Sequence, residues 1–430
     1  MSKPPFVLSL TLAAALGGCP SPSTPATPDT EPVSARPVPA DPAPVTPATP
    51  SEPAAAPLEL AAAVEANNAF ALALYGEVAR GEGNRFFSPV SLSTALTLTL
   101  LGAAGNTEAE MRAALRLPGG DPHGAFAALQ AAVVADRGTA AVVRIANRLW
   151  GQADYGFLDA FLADATRHYG AGLERLDFAA SAAARATING WVAGQTAGKI
   201  PELLPEGLLD ARTRLVLTNA VYFKGLWADA FKASDTYPAP FTVAAGKTVE
   251  AKFMRRRGSY AYADNADVRV LVMPYKDAGI SMVAVLPKDV AGLGATEALL
   301  AERLDGWIAE ASSQKVDVRL PRFELRAKAT MNAHLQALGM REAFTLGADF
   351  SRMSGKDDLY VSAVAHEAYV AVDEAGTEAA AATAVVMDVK SAAPRPIAEF
   401  RADHPFFFAI RDDRSGALLF VGRVADPTAG

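Results

Sequence analysis

The sequence predicts an α+β fold built around large sheets. Helical stripes crowd the first third of the folded part, strand-like runs dominate the rest, and the two never alternate in the βαβ manner of a parallel α/β sheet. No internal repeat is visible. The folded part begins at Leu58, where a Pro- and Ala-rich segment ends, and no second linker follows, so residues 58–430 read as one unit.

Taken in order, Leu60, Val64, Phe70, Leu74 and Val78 lie near one stripe of a helix over 58–80. Ser88 before Pro89 places a capping side chain ahead of a first-turn proline and opens an apolar helix ending near Gly102. Residues 107–115 and 121–134 read as two more helices, each begun by a capping residue. A strand is expected over 141–149 and helices over 158–169 and 180–196. The unbroken apolar run 215–223 predicts a central strand buried on both faces. Strands then follow at 268–273, 280–286, 316–325, 360–372, 406–410 and 418–424, with helices returning at 297–308 and 329–338.

The N-terminus has its own logic. Residues 1–16 carry one positive charge, Lys3, followed by an apolar stretch over 6–16 that is too short to span a bilayer. Leu16-Gly17-Gly18 then sets small residues before Cys19, the single cysteine, which excludes an internal disulfide. This pattern resembles a bacterial lipoprotein signal, implying cleavage after residue 18 and a lipid on Cys19. An ordinary secretory signal with Cys19 incidental is the other reading, and both export the protein. Residues 19–57 are almost all Pro, Ala, Thr, Ser and Val, a composition that cannot form a core and stays extended. At about 3 Å per residue this tether reaches on the order of 100 Å. No later stretch is long and apolar enough for a transmembrane helix.

Several function classes are disfavoured. A net charge of −7 leaves no broad basic surface for nucleic acid. Arg255-Arg256-Arg257, beside Gly258, reads as a solvated turn at a hairpin. The histidines His123, His168, His334, His366 and His404 stand at no metal-ligand spacing, and HExxH, CxxC and GxSxG are absent. Ser312 and Lys315 form a lone SxxK without companion motifs. No Gly-rich phosphate loop occurs. The expectation is a chain that is not an enzyme and uses no cofactor or metal.

The segment after Tyr369 is unusual. Its alanine run favours helix by propensity, with Asp373 or Thr377 as cap. With period two, however, Thr377, Ala379, Ala381, Thr383, Val385, Met387 and Val389 form one uncharged face, and Glu378, Asp388 and Lys390 fall on the other. That sorting fits a strand whose leading side chains are small enough to slide between two strands already in place. Gly376 supplies freedom for a hinge at its base. On these residues alone, helix and strand both stand.

At this point the chain resembles the serpin family, from about residue 58 to 427. Glu374-Ala-Gly-Thr-Glu-Ala-Ala-Ala-Ala-Thr383 is similar to the proximal hinge of inhibitory members, with Ala375 where a charged residue is common. Phe400-Arg-Ala-Asp-His-Pro-Phe-Phe-Phe-Ala-Ile410 fits the C-terminal signature, and 218–227, 86–91 and 338–351 match further family elements in order. The resemblance implies about nine helices around three β-sheets with an exposed reactive-centre loop. It implies inhibition of a serine protease by cleavage of that loop, followed by its insertion into the main sheet. The hinge would comprise Glu374, Gly376, Thr377, Glu378, Ala379, Ala380, Ala381, Ala382 and Thr383. Counting along from Glu374 places the scissile bond between Lys390 and Ser391, bait for a trypsin-like pocket. Arg395 is the rival, flanked by Pro394 and Pro396. By the same likeness Ser88, Ser91, Asn219 and His366 would latch the sheet, and Trp227 would stand at the breach above it. Residues 111–137 are poor in basic side chains, which argues against heparin-type activation. The expected partner is one protease bound to a monomer, with no nucleic acid and no membrane contact beyond the lipid.

Overall fold

The helices of the first third form where the apolar stripes place them. In this computed structural model, which describes residues 59–135, 140–170, 173–356, 358–377 and 397–429, α1 (Leu60–Val78) buries Phe70, Leu74 and Tyr75. The leader and tether with Cys19, the hinge residues Glu378, Ala379, Ala380, Ala381, Ala382 and Thr383, and Lys390, Ser391 and Arg395 all lie outside the described residues. After the short strand β1 (Arg85–Phe87) comes α2 (Pro89–Leu100), buried along its whole length. Its threonines survive there because Thr94, Thr97 and Thr99 return their hydroxyls to carbonyls four residues back, at 2.7, 2.6 and 3.0 Å.

Two capping expectations need correction. The third helix, α3 (Gly105–Ala114), starts before Thr107 and has no side-chain cap. The Thr107 hydroxyl instead donates to Glu342 and accepts from the Asp349 amide. In α4 (His123–Val134) Asp121 accepts the His123 N–H at 3.0 Å from outside the helix. There follow β2 (Ala141–Gln152), α5 (Asp159–Tyr169), β3 (Glu174–Leu176), α6 (Ser181–Gln195) and β4 (Leu215–Leu226). Leu215, Leu217, Val221 and Phe223 of β4 enter the main core, while Val216 and Ala220 enter a smaller core with α6 residues Ile188 and Val192. Burial on both faces explains the unbroken apolar run.

The second half contributes β5 (Tyr237–Ala244), β6 (Lys247–Asp264), β7 (Val268–Pro274), β8 (Ile280–Pro287) and α7 (Leu293–Glu310). The single strand expected over 316–325 is two strands, β9 (Ser312–Pro321) and β10 (Phe323–Thr330). Pro321 has no N–H to continue a ladder, and the chain changes sheets there. Then come α8 (Asn332–Ala337), α9 (Ser351–Ser354), β11 (Ala363–Val372), β12 (Gly376–Thr377), β13 (Ala398–Arg401), β14 (Phe406–Asp412) and β15 (Leu418–Val424).

One sheet has the order β10-β11-β12-β4-β2-β3, with β11 and β4 also paired directly. The other strands run β1-β15-β14-β8-β7-β6-β9-β13, and β5 pairs with β6. The long β6 passes from β9 to β7 and so joins two groups of strands into one hydrogen-bonded array. Nine α-helices surround the sheets among the described residues. The arginine run is inside β6 and not at a hairpin. Arg255 and Arg257 reach Asp317 on β9 at 2.6 and 3.1 Å, while Arg256 turns to Asp229 at 2.8 Å. Hydrogen bonding from Arg255 is the main cause holding the Asp317 carboxyl down at about 2.

Candidate functional site

Two side-chain clusters lie on the seam where β4 and β11 run parallel, from Ala363↔Val216 to Tyr369↔Tyr222. The lower cluster forms because α2 packs across the sheet's inner face and His366 and Asn219 sit at paired positions on that face. The His366 Nε2 accepts the Ser88 N–H at 3.3 Å, so Nδ1 carries the proton and donates to Asn219 Oδ1. The Asn219 amide in turn donates to Ser91 Oγ at 2.6 Å and to Asn147 Oδ1 at 2.5 Å. Ser88 Oγ donates to the Leu419 carbonyl at 2.7 Å and accepts from the Ser91 amide. Ser88, Ser91, Asn219 and His366 are all buried. Burial pushes His366 down to about 3, so it is neutral at any physiological pH. A buried network satisfied this fully is costly to part, since each lost partner strands a desolvated polar group.

The upper cluster is the start of the hinge. After Val372 the chain turns through Asp373, whose carboxylate accepts the amides of Ala375 and Gly376 at 2.9 and 3.2 Å. It returns as β12, antiparallel to both neighbours, with Thr377 opposite Val372 on one side and Gly225 on the other. Gly376 has a φ of 157°, and a Cβ there would run into the Gly225 carbonyl oxygen and stand 2.7 Å from the Leu226 Cα. The glycine is needed for close approach as well as for freedom. Thr377 is fully buried, its hydroxyl 2.7 Å from that of Tyr275. Burial raises the Tyr275 phenol, which therefore stays protonated.

Trp227 stacks on Tyr275 at 4.5 Å and 13°, and its indole N–H donates to the Asp373 carbonyl at 3.0 Å. Its backbone amide donates to the Ala375 carbonyl at 2.9 Å. The Glu374 carboxylate accepts from Thr236 at 2.7 Å and pairs with Arg322 at 3.5 Å. The structure thus brings Glu374, Gly376, Thr377 and Trp227 together at the top of the seam, and Ser88, Ser91, Asn219 and His366 below. Sequence reading missed Asn147 and Tyr275. A polar Asn147 between Arg144 and Arg148 in a strand is a faint signal, and Tyr275 offers none.

With this geometry in view, a sequence profile described as Serpin (serine protease inhibitor) matches residues 65–427. Leukocyte elastase inhibitor A of Mus musculus is 41% identical over 376 residues, covering 84% of this chain and 98% of that protein. Leukocyte elastase inhibitor of Homo sapiens matches to the same extent. Among solved structures, uncleaved ovalbumin superposes with a TM-score of 0.76 at 29% identity, covering 86% of this chain and 100% of its own. Serpin48 of the insect Tenebrio molitor gives 0.77 at 29%, covering 85% and 98%.

Proposed function

The chain belongs to the serpin family, and from that premise we propose that it inhibits a serine protease as a suicide substrate, its own loop serving as cleavable bait. The observation that carries this reading is the seating of Gly376 and Thr377 between β4 and β11, antiparallel to both. The strand that must enter has already begun to do so, in a definite register.

That register can be extended. Thr377 faces Gly225 and Val372, so each step along the loop moves one step back along both neighbours. Ala379 would meet Phe223 and Val370, and Ala381 would meet Val221 and Ala368, all lining the main core. Thr383 would arrive opposite Asn219 and His366, the pair that bridges the closed seam. Its hydroxyl can accept from His366 Nδ1 and donate to Asn219 Oδ1, so the pair parted by insertion is re-partnered. Alanines lead because larger side chains would jam a parting core.

The chemistry is acyl transfer arrested halfway. The protease serine attacks the Lys390 carbonyl, the amine of Ser391 leaves, and an ester joins Lys390 to the enzyme. Insertion then carries the tethered protease away and deforms its active site before water can attack. The chain itself catalyses nothing in this scheme. Lys390 suits the acidic pocket of trypsin-like enzymes. The names of the mammalian relatives favour a second reading on the same loop, since an elastase-type pocket takes small side chains and Val389 adjoins Lys390. We place the protein outside the cytoplasm as a monomer, held by a lipid on Cys19 at the end of its tether. A serpin that binds without inhibiting is disfavoured by the small, uncharged residues at alternate positions from Thr377, the face of the loop that would turn to the core.

The test is incubation with trypsin and, separately, elastase, followed by denaturing electrophoresis and mass spectrometry of the released C-terminal fragment. A covalent complex with trypsin and a fragment beginning at Ser391 is expected. A complex with elastase and a fragment beginning at Lys390 would move the bait to Val389. Complete cleavage by both enzymes without any complex would overturn inhibition.

A further inference from the structure

The outer face of the six-stranded sheet holds a buried acid that the scheme above does not use. Glu367 follows His366 on β11 and so points to the other face of the sheet, away from the lower cluster. Its neighbours in register are Ala220 on β4 and Lys328 on β10. Only 2% of the residue is exposed. One carboxylate oxygen is 3.4 Å from Arg326 Nη1, near the outer limit for a hydrogen bond, and the other has no partner among the described residues. A buried carboxylate with one oxygen unpartnered is costly in its charged form.

The chain leaving α6 crosses the seam at this level. Its Ile200, Leu203 and Leu204 share a small core with Val216 and Ala220 of β4 and with Ala365 of β11. Asn189 of α6 fixes the crossing, accepting the Leu204 N–H at 2.8 Å and donating to the Leu204 carbonyl at 3.1 Å. The charged groups facing Glu367 are Arg326 and Lys328 from β10 and Glu202 from the crossing segment, while β4 offers the uncharged Ala220. Lys328 donates to the Glu202 carbonyl, and the Glu202 carboxylate pairs with Arg185 of α6 at 2.9 Å. Lys199 and Arg326 each lie 5.3 Å from the ring of Tyr369, the next residue on this face of β11. Burial outweighs the nearby cations and holds the Glu367 carboxyl above its ordinary 4.5.

We propose that Glu367 is a weak point of the closed seam, its buried charge favouring the parting of β4 from β11 that loop insertion needs. The inference rests on the inhibitor reading above. Parting, whichever strand moves, takes Ala220 away from Glu367 and splits the small core beside it, so water reaches the carboxylate. The carboxyl is then a stronger acid in the parted seam than in the closed one. Closure is favoured at low pH, where Glu367 is neutral in both, and that advantage is lost as pH rises from 4.5 through the raised value.

Uptake of a synthetic peptide of the loop sequence by the full chain reads the parting, with Glu367→Gln as the neutral isostere. At pH 8 the variant should take up peptide at least about threefold more slowly than the parent chain, and the ratio of the two rates should fall toward one as pH is lowered to about 4.5. The ratio cancels the titration of His366 and of the peptide's own acids, which both proteins share. Arg326→Gln removes a cation that counts for more beside a buried carboxylate than beside a hydrated one. It should speed uptake at pH 8 at least about threefold, and lose that effect in the Glu367→Gln background. A ratio of one throughout, or a ratio unmoved by pH, would overturn the inference, as would an Arg326→Gln effect that survives Glu367→Gln. With protease still trapped, any of these results removes the role of Glu367 and leaves the inhibitor reading standing. No peptide uptake and no trapped protease in any of the proteins would overturn both.

Discussion

Thr377 shows how much one side chain decides at the upper end of the seam. It has no exposed surface, its hydroxyl is held by Tyr275, and it faces the core side that every second residue after it would share. Thr377→Arg buries an unpaired charge there, so the hinge should be expelled while the loop stays cleavable. Trapping should give way to plain turnover, read as a rise of about tenfold or more in the moles of inhibitor consumed per mole of protease. Thr383→Val should leave the uncleaved protein's stability unchanged and reduce the stability gained on cleavage by about 1–3 kcal/mol, because His366 and Asn219 would then be parted without replacement. Comparing denaturant unfolding of cleaved and uncleaved forms checks this. At this scale legibility was uneven. Ser88 announces itself by its place before Pro89, whereas His366 and Asn219 sit in apolar strands with no local mark and were reached only by resemblance. Asn147 and Tyr275 escaped even that, since their roles come from facing residues distant in the chain.

Among elements, the two-residue β12 depends on Gly376, where any side chain meets the β4 backbone. Gly376→Val should dislodge β12 and speed hydrogen exchange at the amides of Thr377 and nearby Gly225 by about tenfold or more, with the amides of β8 and β14 unaffected. Unchanged exchange at Thr377 would mean the clash is relieved in place. Long apolar or striped elements such as α1, β4, β8 and β14 were readable because burial on one or two faces imposes their pattern. The strands β5 and β6 were not, because β6 mixes core residues such as Phe253 and Met254 with the exposed Lys252 and with Arg255, which an ion pair to Asp317 satisfies. The break between β9 and β10 hides in a continuous β-like run in which only Pro321 marks a change of sheet. Propensity is a poor guide to the alanine-rich loop itself, since alanine favours helix whatever the chain must do later.

For the whole molecule, protonation provides one check. His366 and His123 are brought by burial to about 3 and about 4, from an ordinary 6.5. Between about pH 6.5 and pH 4 the unfolded chain takes up both protons and the folded chain neither, so unfolding free energy should fall as pH falls, by up to about 1.4 kcal/mol per pH unit for each histidine. His366→Asn should remove its share of that slope in denaturant titrations between pH 6 and pH 4. The central claim, however, concerns a fold held short of its most stable arrangement. Insertion would exchange one parallel seam for two antiparallel ladders, a gain of roughly ten backbone hydrogen bonds at about 1 kcal/mol each. The most direct test is the melting temperature before and after a single cut in the loop. A rise on the order of 10 °C or more is predicted for the cleaved protein; an unchanged or lower value would contradict the account.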